Sequence, residues 1–299
     1  MNAFTVKAIF VLVLISGLLT LVSARDSGKR LPYDRERANA GKKGTTQILY
    51  HGGPVMLGTI NLYVVYYGSF TVAATGITDN FLENLGGSGA FNVNTTYFDS
   101  ESRHISGSLS YKPSTNSYTD DYSQGHRVHS SFPTTELQGV LQEGHLPTDA
   151  NGIYILITSP DVTVPSGFYC GFHTHSTSIT NATDIKYAVI PEPHAPTYQF
   201  CSGNVETFND TTSPNDDIGA DSVTDTAMHE ISETVTDPDL NAWFTNNGLE
   251  VGDLCNFVYG QTFLAPDGSH ANHVFGSRDY LVQTIWENSG SGFCALSDP

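Results

Sequence analysis

Apolar positions along the chain fall into two kinds of pattern. Runs rich in β-branched and aromatic residues occur at INLYVVYYG (60 to 68), GIYILIT (152 to 158) and DIKYAVIPE (184 to 192), and each predicts a strand. The stretches TDNFLENLG (78 to 86), opened by Thr78 or Asp79, and TTELQGVLQEG (134 to 144) predict helices. A third helix is expected from a cap at Ser222, with Asp225 three residues on as in a capping box, to a stop at Asp237-Pro238. Within it Val223, Ala227, Ile231 and Val235 recur every four residues and form one stripe for burial. The stretches 101 to 131 and 193 to 220 are polar, rich in Ser, Thr and Asn, and expected to be irregular. This mixed order predicts an α+β (mixed α/β) class, a single domain with a central mixed sheet and packed helices. The absence of a repeat or low-complexity break over residues 44 to 299 supports one domain rather than two.

Composition separates the ends from this body. Residues 1 to 24 carry a lysine, an apolar run over 8 to 22 and the small-residue ending Val22-Ser23-Ala24, the pattern of a secretory signal peptide. Residues 25 to 43 hold seven of the 13 Lys and Arg and read as a basic arm, or as a propeptide cut at Lys29-Arg30 or Lys42-Lys43. The body from residue 44 onward has five basic against 28 acidic residues, a net charge of −23. So acidic a surface repels phosphate backbones, and nucleic-acid binding is disfavoured. No later segment is long and apolar enough to span a membrane. The expected compartment is therefore extracellular, including a cell wall.

The four cysteines fit that oxidising compartment. Three connectivities are open, and the sequential one is favoured because Cys170 to Cys201 and Cys255 to Cys294 each close a local loop. Sequons at Asn94, Asn181 and Asn209 predict exposed, glycosylated positions.

The chemistry concentrates on the third helix. His229-Glu230-x-x-Glu233 differs by one residue from the HExxH signature of zinc peptidases, in which two ligands at i and i+4 reach one ion and the i+1 carboxylate activates water. At 100° per residue His229 and Glu233 project together, away from the apolar stripe, with Glu230 between. Zinc accepts imidazole nitrogen and carboxylate oxygen, so His229 and Glu233 are candidate ligands and Glu230 the candidate catalytic base. A third ligand is expected from GLEVGDLC, where Glu250 and Asp253 follow Glu233 at a distance suited to a returning segment. A set this rich in carboxylate also suits calcium. The opposing reading is a solvated polar face with no ion.

His173 and His175, alternating around Thr174, form a second candidate metal pair, and either could complete the sphere of His229 and Glu233. Other catalytic classes lack their motifs, with no G-x-S-x-G elbow, Walker loop or dinucleotide-binding glycine pattern.

Three blocks, YHGGPVMLGTINLYVVYYGSF, IYILITSPDVTVPSGFYCGFHTH and CNFVYG with its closing cysteine, make residues 50 to 296 resemble the phosphate-induced protein 1 or EXORDIUM-like family. The resemblance implies an extracellular protein of the wall or apoplast, linked in plants with growth. HEISETVTDPDLNAW and GLEVGDLC resemble more closely a microbial branch with a zincin-like active-site helix. Two functions are thus expected to compete. One is a secreted zinc-dependent metallopeptidase acting on extracellular protein. The other is a non-catalytic wall or growth-signalling protein that binds polysaccharide through Trp243 and Trp286. Oligomeric state stays open.

Overall fold

A computed structural model describes residues 47 to 165, 170 to 195 and 197 to 298. The signal peptide at 1 to 24 and the basic arm at 25 to 43 lie outside the described residues.

The centre is a six-stranded sheet built from β2 (Ile60–Tyr67), β3 (Leu109–Ser110), β4 (Ser117–Asp120), β5 (Gly152–Thr158), β6 (Phe172–Ser176) and β7 (Ile185–Pro191). A short strand, β1 (Leu49–Tyr50), precedes it and pairs elsewhere. The strand order is β3-β2-β5-β7-β6, with β4 also on β2, and every pairing is parallel except that of the edge strand β6 with β7. Parallel sheets are covered on both faces, and strands buried on both faces read as near-continuous apolar runs. Strand β2 shows how this works: Ile60, Leu62, Val64 and Tyr66 enter one core, while Tyr63, Val65 and Tyr67 enter the other.

Helices α1 (Val72–Leu85) and α3 (Ile218–Thr236) fill the first core, and α2 (Phe132–Gln142) fills the second. The chain after α3 forms short antiparallel pairs, including β8 (Trp243–Phe244) with β1 and the hairpin of β9 (Ile285–Glu287) with β10 (Phe293–Ala295), whose buried residues join the α3 core. This is the expected mixed α/β class in one domain. No helix among the described residues is long and apolar enough to cross a membrane.

Several boundaries differ from expectation for local reasons. Helix α1 starts at Val72, because Thr71 rather than Thr78 caps it, its side chain accepting from the Ala74 N–H. Helix α3 starts at Ile218, capped by Asp217, whose carboxylate accepts from Ala220 N–H at 3.1 Å. Ser222 is already inside, its hydroxyl donating to the Ile218 carbonyl. The stretch 101 to 131 is not wholly irregular, since β3, a single turn at Pro113–Asn116 and β4 complete the edge beside β2. In 193 to 220, short helices at Tyr198–Cys201 and Gly203–Phe208 precede α3.

The second core contains a carboxylate, Glu136 of α2, which accepts from Gln124 Nε2 at 2.8 Å. Burial pushes its pKa up to about 7, opposed by the Gln124 hydrogen bond and aided by Asp120. A carboxyl raised from 4.5 contributes stability that is full below that value and is lost as pH rises through about 7. Glu136→Gln is expected to change stability little near about pH 4 and to raise it by on the order of 1–3 kcal/mol near about pH 8. Urea unfolding at both pH values measures this; equal destabilisation at both would contradict it.

Candidate metal centre

Helix α3 is enclosed almost completely. Its stripe of Val223, Ala227, Ile231 and Val235 is buried as expected, but so are Glu230, Ser232, Glu233, Thr234 and Thr236 on the other faces. The solvated-face reading is therefore overturned, because the C-terminal hairpins and β6 cover what the sheet leaves open. The hydroxyls of Thr234 and Thr236 satisfy themselves on the helix, donating to the carbonyls of Glu230 and Ser232.

The i and i+4 pair forms as spaced, with His229 Nε2 3.0 Å from Glu233 Oε1. The returning segment brings both acids back. Asp253, opening the turn Asp253–Cys255, places Oδ1 3.7 Å from His229 Nε2, and its backbone N–H donates to Glu233 Oε1. Glu250 instead places Oε1 3.0 Å from Nε2 of His173, which is itself 3.6 Å from Glu233 Oε2. Two trios of donor atoms gather here, His173 with Glu233 and Glu250, and His229 with Glu230 and Glu233.

His173 arrives from β6, where residues two apart share a face. Facing Ala188 across the β6–β7 ladder, it points toward α3. His175 lies on the same face but not at the centre. Its Nδ1 sits 2.9 Å from Asp184, whose carboxylate also binds Lys186 Nζ at 2.6 Å, and Lys186 goes on to Asp239 at 2.8 Å. The two histidines of the expected pair therefore go to different groups, His173 to Glu233 and Glu250 and His175 to Asp184 and Asp239, where Lys186 also lies.

Outer contacts orient the ring of His229. Gln283 donates from Nε2 to the Gly252 carbonyl at 3.0 Å, which turns Oε1 toward His229 Nδ1 at 3.1 Å. Nδ1 therefore carries a proton and Nε2 faces the carboxylates. Asp225 holds this layer, accepting from Gln283 N–H and from the Tyr259 hydroxyl, and burial pushes its pKa up to about 6 against those bonds. Burial opposes charge on His229, but Glu233, Glu230 and Asp253 outweigh it and hold its pKa well above the ordinary histidine value. Burial and the neighbouring Glu250 likewise push Asp237 up to about 7. Gln283 and Tyr259 carried no spacing signal in the sequence, and Asp225, expected in a capping box with Ser222, lies inside the helix and serves this layer instead.

Two disulfides pin the converging segments, Cys170–Cys201 before β6 and Cys255–Cys294 at the end of the Asp253 turn, in the sequential pairing. Loops closed over 31 and 39 residues correspond to about 3–4 kcal/mol each by the chain-entropy model. Two glycines permit close approach. A Cβ on Gly252 would lie 2.7 Å from the His229 ring, and one on Gly171 2.8 Å from Glu230 Oε1.

Other expected positions fall elsewhere. Trp243 and Trp286 are buried in the first core, so neither offers an exposed polysaccharide platform. Asn181 and Asn209 are exposed, whereas Asn94 is fully buried and donates to Phe91 O and Ser232 Oγ, so the folded chain does not present that sequon.

The family model described as the phosphate-induced protein 1 conserved region matches residues 48–295. Similar proteins include Protein EXORDIUM-like 5 of Arabidopsis thaliana, 25% identical over 303 aligned residues that cover 90% of this chain and 83% of the relative. Protein EXORDIUM-like 3 of the same plant is 23% identical over 299, covering 88% and 87%. No solved structure matches. Both relatives are plant proteins, so the match carries the family and not the microbial branch.

The Gly252 contact generates a paired test. Gly252→Ala is expected to cost about 1–3 kcal/mol and to shift the His229 imidazole resonances. Gly76→Ala, in α1 with open space around it, is expected to be neutral or stabilising by up to about 1 kcal/mol. Equal stability changes in the two variants would contradict the close approach.

Proposed function

The chain belongs to the phosphate-induced protein 1 family, whose name specifies no reaction, and from the site itself we propose a secreted hydrolase dependent on a divalent cation, cleaving peptide bonds. The observation that carries this reading is the convergence of His173 and His229, from a strand and a helix, on the buried carboxylates Glu233 and Glu250.

The donor set fits such an ion. Nitrogen and oxygen ligands at about 2.0–2.1 Å around tetrahedral zinc lie about 3.3 Å from one another, and the donor pairs here are 3.0 to 3.7 Å apart. His173 with Glu233 and Glu250, or His229 with Glu233, would hold it, with Asp253 beside them. Zinc suits the two imidazoles, while the number of carboxylates also suits a harder cation such as calcium. A cation bound there supplies Lewis acidity for attack on a carbonyl.

The remaining roles belong to the chain's own groups. Gln283 keeps the proton of His229 on Nδ1, leaving Nε2 to donate its electron pair. Glu230, next to His229 and in one group with it and Glu233, would accept a proton from the attacking water and return it to the leaving amine. Secretion is supported by the apolar leader, the paired cysteines and the exposed sequons at Asn181 and Asn209.

Glu230→Gln separates binding from chemistry. With disulfides intact, the variant is expected to keep the wild-type cation content while hydrolysis of a denatured protein substrate falls by about 10²–10⁴-fold. Undiminished hydrolysis, or loss of the cation, would sink the assigned role.

A further inference from the structure

We infer that the centre is built for two divalent cations bridged by Glu233, one on each of its carboxylate oxygens; this rests on the cation-dependent reading above. The two oxygens face different histidines, Oε1 toward His229 at 3.0 Å and Oε2 toward His173 at 3.6 Å. Each histidine also has its own acid from the returning segment, Glu250 at 3.0 Å from His173 and Asp253 at 3.7 Å from His229. One half therefore consists of His173, Glu250 and Glu233 Oε2, and the other of His229 and Glu233 Oε1 with Glu230 and Asp253 beside them.

Backbone contacts keep the halves distinct. Asp253 accepts the Glu250 N–H on Oδ2, which leaves Oδ1 for the His229 side. Glu250 and Asp253, three residues apart at the turn, consequently aim at different histidines.

Ligand number and charge agree. Two imidazoles and the carboxylates of Glu233, Glu250 and Asp253 exceed the four donors that zinc takes in a tetrahedral site. Counting Glu230, four carboxylates carry more negative charge than one divalent ion offsets, and uncompensated buried charge costs several kcal/mol. Ions that share substrate in hydrolytic two-metal sites lie about 3.5–4 Å apart, a span that one carboxylate can bridge. Glu230 stays outside the bridge, next to the His229 half, where a base is needed.

Metal counting decides between one ion and two without any assay of hydrolysis. Chelator-stripped wild-type protein, disulfides intact, is titrated with manganese(II) and read by electron paramagnetic resonance, with zinc(II) content counted in parallel by mass spectrometry. The expected result is two ions per chain and the multiline signal of an exchange-coupled manganese pair. His173→Gln and His229→Gln are each expected to halve the metal content and leave an uncoupled six-line signal. One ion per chain in the wild type, lost completely in either variant, overturns the bridged pair while leaving the cation-dependent reading intact. No bound ion of either metal in folded wild-type protein overturns both. The wild-type count stands alone if either variant fails to fold.

Discussion

Glu233 is a carboxylate with no solvent exposure, held in the last turn of a helix that is itself enclosed, and burying a charge in that way costs several kcal/mol unless partners offset it. The helix provides one partner at i−4, His229. The others come from far along the chain: His173 on the edge strand and the Asp253 N–H at the return turn. The two disulfides, the close packing of Gly252 and Gly171, and the glutamine that turns His229 all serve to bring those partners to this one side chain.

The sheet explains why the partners can arrive together. Strands β2 and β5 send alternate residues into two cores, and α3 lies over the one that the C-terminal hairpins also cover. Strand β6 runs against its neighbours at the edge, which places its inward-facing histidine beside the helix. Around this point the acids are graded. Asp225 serves as a hydrogen-bond anchor for Gln283 and Tyr259, while Asp237 closes the helix by accepting the N–H groups of Asn241 and Ala242. Glu233, Glu250 and Asp253 face the imidazoles instead.

What could be read in the sequence follows the range of the forces involved. The runs at 60 to 68, 152 to 158 and 184 to 192 are strands within a residue or so of expectation, because burial on both faces leaves a continuous apolar signature. The stripe of Val223, Ala227, Ile231 and Val235 and the His229–Glu233 pair are local, and both were legible. Which cap wins is a finer matter: Asp217 and Thr71 prevailed over residues with equally good side chains further along. Longer contacts were legible only in part: the return of Glu250 and Asp253 and a histidine of the 173–175 pair joining the group were expected, but which acid meets His173, 77 residues from Glu250, and the contact of Gln283 with His229 across 54 residues left no trace in spacing. Trp243, Trp286 and Asn94 show the same limit, since whether an aromatic or an amide is covered depends on segments that pack over it.

The central claim is that two histidines from separate elements bind cation jointly with Glu233. Anomalous diffraction from crystals of zinc-loaded protein, collected on either side of the zinc edge, tests it most directly. The account predicts strong anomalous density within about 2.0–2.2 Å of Nε2 of both His173 and His229 and of the Glu233 oxygens. Density confined to the His175, Asp184 and Asp239 cluster or to the protein surface, with none at Glu233, would contradict it.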